Sequence, residues 1–110
     1  MTFFILINCI PFLSGLHLLK HFTMIHVYIL FSNTLTKYYT GYTTHLWTRI
    51  EEHNQGKTTF TRTGIPWSLT YAIQCDDIST AKELEISIKK RGAERYLDSL
   101  KENLQPPDDD

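Results

Sequence analysis

The spacing of hydrophobic positions switches along this chain, and each switch marks an element. Residues 3–19, FFILINCIPFLSGLHLL, are nearly all apolar. Over residues 26–32 the pattern alternates: Val27, Ile29 and Phe31 point one way, Tyr28 and Leu30 the other, the two-residue period of a strand. Residues 32–37 are polar and contain Asn33, which suits a turn. Alternation resumes over residues 37–43, with Tyr39 and Gly41 on one face and Tyr38, Thr40 and Tyr42 on the other. So short a connection predicts an antiparallel hairpin. Over residues 44–54 the period lengthens. Leu46 and Ile50 form a helical stripe, Arg49 and His53 fall on the same side, and Thr48, Glu51 and Glu52 face away. After a glycine- and threonine-rich loop at residues 55–66, a third strand is expected over residues 67–75, with Trp67, Leu69, Tyr71 and Ile73 on one face. A second helix is expected over residues 80–90, begun by the capping box Thr80-x-x-Glu83 with Ser79 as a competing cap. Its stripe is Ala81, Leu84 and Ile88, with Glu85 in the middle. Residues 93–104 form a third helix, with Tyr96, Leu97, Leu100 and Leu104 on one side. The order β-β-α-β-α-α predicts an α+β fold, a small three-stranded antiparallel sheet flanked by helices.

At 110 residues there is room for one domain with one modest core. That domain is placed at residues 25–104, between an apolar leader at residues 1–24 and an acidic tail at residues 105–110. The leader holds Pro11 and His17 and falls short of the ~20 apolar residues of a membrane span. It also lacks the positive start of a signal peptide. It reads as a surplus segment ahead of Met24, with a weak membrane anchor as the alternative and a helix as its expected form. The net charge is −1, but setting aside Asp108, Asp109 and Asp110 moves it to +2. That balance is compatible with nucleic acid without pointing to it. Cys9 and Cys75 fit no zinc spacing, so no zinc site is expected, and they suit a reducing compartment.

Both helices therefore carry a charged residue on the side that should face the sheet, Arg49 on the first and Glu85 on the second. A buried charge needs a partner. The two could form a structural salt bridge, with Tyr28 and Tyr39 as ordinary sheet tyrosines. Alternatively Tyr28, Tyr39, Arg49, His53 and Glu85 converge on one concave site. The glycine inside the second strand, Gly41, marks a place where another group comes close.

Residues 27–97 resemble the small single-domain members of the GIY-YIG nuclease superfamily, relatives of the N-terminal catalytic domain of the bacterial excision-repair nuclease. The resemblance is carried by Val27-Tyr28-Ile29, Tyr39-Thr40-Gly41, the helical run Thr48-Arg49-Ile50-Glu51-Glu52-His53-Asn54, the run Leu84-Glu85-Ile86-Ser87-Ile88-Lys89, and Arg95-Tyr96-Leu97. The leading glycine of the first motif is absent, and Leu84 stands where small members often have arginine. The resemblance implies divalent-metal-dependent hydrolysis of nucleic-acid phosphodiesters, DNA in the first place, in repair or processing. It implies Tyr28, Tyr39, Arg49, His53 and Glu85 as catalytic residues. Glu85 would be the ligand of Mg²⁺ or Mn²⁺, the type of ion that one carboxylate with waters and phosphate oxygens can hold. Lys57, Arg62, Lys89 and Lys90 would contact nucleic-acid phosphates. An inactive nucleic-acid-binding or interaction module on the same fold is the competing reading. A monomer or weak dimer in the cytoplasm is expected, with membrane association through residues 3–19 as the alternative.

Overall fold

A computed structural model describes residues 5–7 and 24–104 of the chain. The other leader residues, Cys9 among them, and the acidic tail lie outside the described residues. The elements are strands β1 (Ile5–Ile7), β2 (Ile25–Ser32) and β3 (Lys37–Thr43), helix α1 (Leu46–Asn54), a 3-10 turn (Thr59–Gly64), strand β4 (Trp67–Cys75), and helices α2 (Ile78–Arg91) and α3 (Ala93–Leu104). The expected α+β order is present, with its antiparallel β3-β2-β4 core.

Two features depart from expectation. Residues 5–7 form a strand rather than part of a helix and pair in parallel with β4, extending the sheet to the order β1-β4-β2-β3. Second, β4 does not keep one face. Ile29 pairs with Tyr71 but Leu30 pairs with Leu69, so β4 carries a bulge at Thr70. An extra residue in one strand reverses the alternation beyond it. Trp67 and Leu69 therefore join one face of the sheet, while Tyr71 and Cys75 join the other. Hydropathy cannot reveal such a switch when both faces are apolar.

Strand β2 lies between β3 and β4 and is covered on both sides. Val27, Tyr28, Ile29 and Leu30 are all buried. Val27 and Ile29 pack with Ala81 and Ile88 of α2 and Leu97 of α3. Tyr28 and Leu30 pack with Leu46 of α1, Trp67, Leu69 and Ala72. Helix α2 starts earlier than the capping box suggested. Asp77 is the cap, its carboxylate accepting from the Thr80 amide at 2.8 Å. That bond and its neighbours also hold the Asp77 carboxyl below its ordinary value. Gly92, with φ of 100°, separates α2 from α3. Among the described residues, no helix is long and apolar enough to cross a membrane.

Candidate active site

The α1 side of the sheet is built around Tyr28. Its cross-strand partner on β3 is Gly41. A Cβ at Gly41 would come within 2.8 Å of the Tyr28 hydroxyl and 3.0 Å of its ring carbon. The missing side chain lets the phenol lie across β3, toward the edge of the sheet. There the hydroxyl meets His53 Nε2 at 3.0 Å. His53 is fully buried, and its Nδ1 meets Thr61 Oγ1 at 2.7 Å. Thr61 Oγ1 in turn lies 3.5 Å from the Thr58 carbonyl, to which it can only donate. The donor directions then follow. Thr61 accepts from His53 Nδ1–H, which leaves Nε2 to accept from the Tyr28 hydroxyl. The histidine is neutral in this arrangement. Burial, helped by the nearby Arg49 cation, lowers its pKa, and Glu52 opposes that shift.

Local chain geometry holds this relay in place. Gly56 takes φ of 79° at the end of α1, and the Gly56 and Lys57 amides return to the carbonyls of His53 and Glu52 at 3.2 and 3.1 Å. That double closure is a Schellman cap, which favours glycine at the left-handed position. Asn54, at the end of α1, ties the helix to β4. Its amide donates to the Trp67 carbonyl at 3.0 Å and accepts from the Trp67 amide at 2.6 Å. The Trp67 indole donates to the Thr61 carbonyl at 2.7 Å, anchoring the 3-10 turn that supplies Thr61. A Cβ on Gly64 would collide with that indole, so the turn closes on Trp67 only because residue 64 is glycine.

Tyr39 completes the aromatic group. Its ring lies edge-on to His53 at 5.0 Å, and at 6.3 Å from the rings of Tyr28 and Phe60. It lines an open groove of about 600 Å³ along the edge strand, with Tyr38, Thr40, Phe60, Lys89 and Glu94. Phe60 is 80% exposed there. Arg49 stands one turn before His53, partly exposed, and donates to Glu52 at 3.1 Å. It also favours the ionised form of Tyr28, but burial wins, and the Tyr28 pKa is pushed up to about 12. Arg49 therefore does not make Tyr28 acidic enough to serve directly as a base. This phenol is a proton donor to His53 at neutral pH.

Glu85 is placed differently. Helix α2 packs on the side opposite Tyr28, through Ala81 and Ile88. The Glu85 side chain is only 18% exposed and its carboxylate meets Lys89 at 3.0 Å, so of the two alternatives the Arg49–Glu85 salt bridge is not formed, and each charge pairs within its own helix. Glu85 still acts on Tyr28, adding to the rise in its pKa. Its charge is therefore felt at the sheet edge toward which Tyr28 points. Among the described residues no group of three acidic, histidine or cysteine side chains could hold a metal.

The predicted phosphate contacts separate. Lys89 lines the groove beside Tyr39. Arg62 folds back on the Gly56 carbonyl at 3.1 Å, next to Lys57 in the same loop. Lys90 lies in a different depression, with Glu83, Ile86, Ser87 and Arg91, away from the tyrosines. Sequence reasoning missed Thr61, Asn54 and Trp67 as parts of the site. Thr61 is one of five threonines between positions 58 and 70, and nothing in the spacing marks it out.

The sequence matches the family model of the GIY-YIG catalytic domain over residues 24–97. The chain belongs to the GIY-YIG family. Two curated relatives agree with this in extent. A UPF0213 protein of Bacillus cereus is 39% identical over 64 residues, 54% of this chain and 67% of the relative. A UPF0213 protein of Syntrophus aciditrophicus is 34% identical over 80 residues, 71% of this chain and 91% of the relative. No solved structure matches. The GIY-YIG match runs from β2 through the 3-10 turn and α2 into the start of α3, and so includes every residue of the site described above.

Proposed function

We propose that this GIY-YIG domain is an endonuclease that hydrolyses phosphodiester bonds in DNA with the help of a divalent metal. The observation that carries the reading is the directed relay Tyr28–His53–Thr61 beside an accessible guanidinium, Arg49. A fold alone would not need it: a buried tyrosine, histidine and threonine could be replaced by apolar side chains without leaving a polar group unpaired.

The chemistry follows from the donor directions. A water attacking phosphorus must lose a proton as it bonds. Tyr28 takes that proton as its own passes to His53 Nε2, the one imidazole nitrogen open to accept. Thr61 holds the ring in the tautomer that makes this possible. Arg49 neutralises charge on the non-bridging phosphoryl oxygens with a planar fork. Tyr39 packs edge-on to the imidazole and excludes water from it. Phe60 and Tyr38 offer ring faces to bases along the groove, and Lys89 offers a charge to the backbone. Glu85 suits Mg²⁺ or Mn²⁺ as a single, half-buried carboxylate whose counter-charge, Lys89, is exposed and can move aside. A bound divalent ion would polarise the phosphate and stabilise the leaving oxygen.

The test is an assay of end-labelled single-stranded, duplex and branched DNA with Mg²⁺, with Mn²⁺ and with chelator. Cleavage in metal and none in chelator is expected. Binding without cleavage of any substrate under any metal would instead make the domain an inactive nucleic-acid-binding module.

A further inference from the structure

Two ion pairs join described residues, and each engages one charge of the candidate site. Arg49 is held by Glu52, three residues on, and Glu85 by Lys89, four residues on. Neither site charge is paired across elements in these bonds. The Arg49 pair uses only Nη1, at 3.1 Å from Glu52 Oε1, and both side chains remain about a third exposed.

We infer that Glu52 occupies Arg49 in place of a substrate phosphate and is displaced when nucleic acid arrives, so that Glu52 sets the affinity of the site. The inference rests on the nuclease reading. A carboxylate and a phosphate present the same kind of oxygen to a guanidinium, so the two compete for one fork. An exposed pair of this kind is weak and exchanges at little cost. The exchange also keeps a negative oxygen on Arg49, beside the relay. Arg49 lowers the His53 pKa and Glu52 raises it, so a phosphate that replaces the carboxylate supplies the same sign of charge beside the imidazole. After displacement Glu52 stays on the helix beside Arg49, where its charge opposes the incoming backbone. Glu51, the adjacent carboxylate, is exposed and makes no bond to Arg49, so it provides a control of equal charge.

The experiment measures binding of a labelled DNA oligonucleotide in chelator, so that no cleavage intervenes, for the parent, Glu52→Gln, Glu51→Gln, Arg49→Ala and the Arg49→Ala/Glu52→Gln double variant. Glu52→Gln is expected to bind roughly two- to five-fold more tightly, the range an exposed pair can yield. Glu51→Gln should change affinity by less than half that factor. The gain from Glu52→Gln should vanish in the Arg49→Ala background, because the competition needs the guanidinium. Thermal melts of each variant confirm equal folding. Weaker binding by Glu52→Gln would show that Glu52 braces Arg49 instead of competing for it, and would overturn the inference. An equal gain in Glu51→Gln, or a gain that persists without Arg49, would overturn it as a general charge effect. Failure of the parent itself to bind any oligonucleotide would overturn the nuclease reading beneath it, a result distinct from these.

Discussion

On one side of β2, Val27 and Ile29 meet Ala81, Ile88 and Leu97; on the other, Tyr28 meets His53, Tyr39 and the influence of Arg49. The same strand serves both sides, and its residues are equally buried. The α2–α3 side is mainly aliphatic, and its attraction is non-directional, proportional to the area removed from water. The α1 side buries a phenol, an imidazole and a threonine hydroxyl, each held by a bond with a defined donor. Polar groups are costly to bury. The α2–α3 side buries the Tyr71 phenol against Tyr96, while the α1 side buries a chain of three linked polar groups, and it is this chain that locates the proposed chemistry there. The two faces meet at the edge strand β3, where Gly41 lets Tyr28 extend outward and where Glu85 and Lys89 of α2 approach.

Substitutions on each side should break different properties. Ile88→Ala, on the aliphatic side, should cost about 2–5 kcal/mol of stability, read from denaturant unfolding, with the cleavage rate per folded molecule little changed. Arg49→Ala should do the reverse. It removes a partly exposed side chain, so unfolding shifts little, while cleavage falls about 10²- to 10³-fold in single-turnover assays.

Thr61→Val should be intermediate. It leaves His53 Nδ1 buried without its acceptor, at a cost of about 1–3 kcal/mol. The same region sets the pH response. Below the ordinary histidine value the unfolded chain binds a proton that buried His53 refuses, so stability falls as pH falls. At the alkaline end the sign reverses. Unfolded tyrosine ionises near pH 10 and Tyr28 at about 12, so its contribution is complete below the lower value and lost as pH rises through the higher one. Melting curves at a series of pH values would show both limbs, and His53→Gln should shrink the acid one, leaving the part due to His26, whose pKa burial also lowers.

The smallest contrast is between adjacent lysines. Lys89 lines the tyrosine groove and Lys90 does not. Lys89→Ala should lower the slope of log affinity against log salt by about 0.9 for duplex DNA, the value for one phosphate contact, and Lys90→Ala should leave it unchanged.

Much of this arrangement was legible in the sequence because it depends on local periodicity. Alternation gave β2, β3 and their turn, and the helical period placed Arg49 and His53 on one side of α1. The sheet faces of β4 were not legible, because the bulge at Thr70 changes faces between two apolar sets. Thr61 was not legible either. Its importance comes from a 3-10 turn held by Trp67 and Asn54, bonds between residues far apart in sequence. The partners of Arg49 and Glu85 stay open in the sequence between a shared salt bridge and a shared site, because the stripe implies burial of both. In fact the Arg49 side chain is 39% exposed and can pair along its own helix. The edge strand β1 was hidden inside a run whose uniform apolarity has no period at all.

Two buried tyrosines, one on each side of the sheet, allow a matched comparison. Tyr28 donates to His53 on the α1 side, and Tyr71 meets the Tyr96 hydroxyl at 3.2 Å on the α2–α3 side. Tyr28→Phe and Tyr71→Phe each remove one buried hydroxyl, and each should cost about 0.5–1.5 kcal/mol of stability. The decisive measurement is the single-turnover rate of metal-dependent DNA cleavage for both variants at equal folded fraction. Tyr28→Phe should lose about 10²-fold or more, the worth of a positioned acid–base group, while Tyr71→Phe stays within a factor of about two of the parent. Equal rates in the two variants, or full activity in Tyr28→Phe, would contradict the assignment of the chemistry to the α1 side.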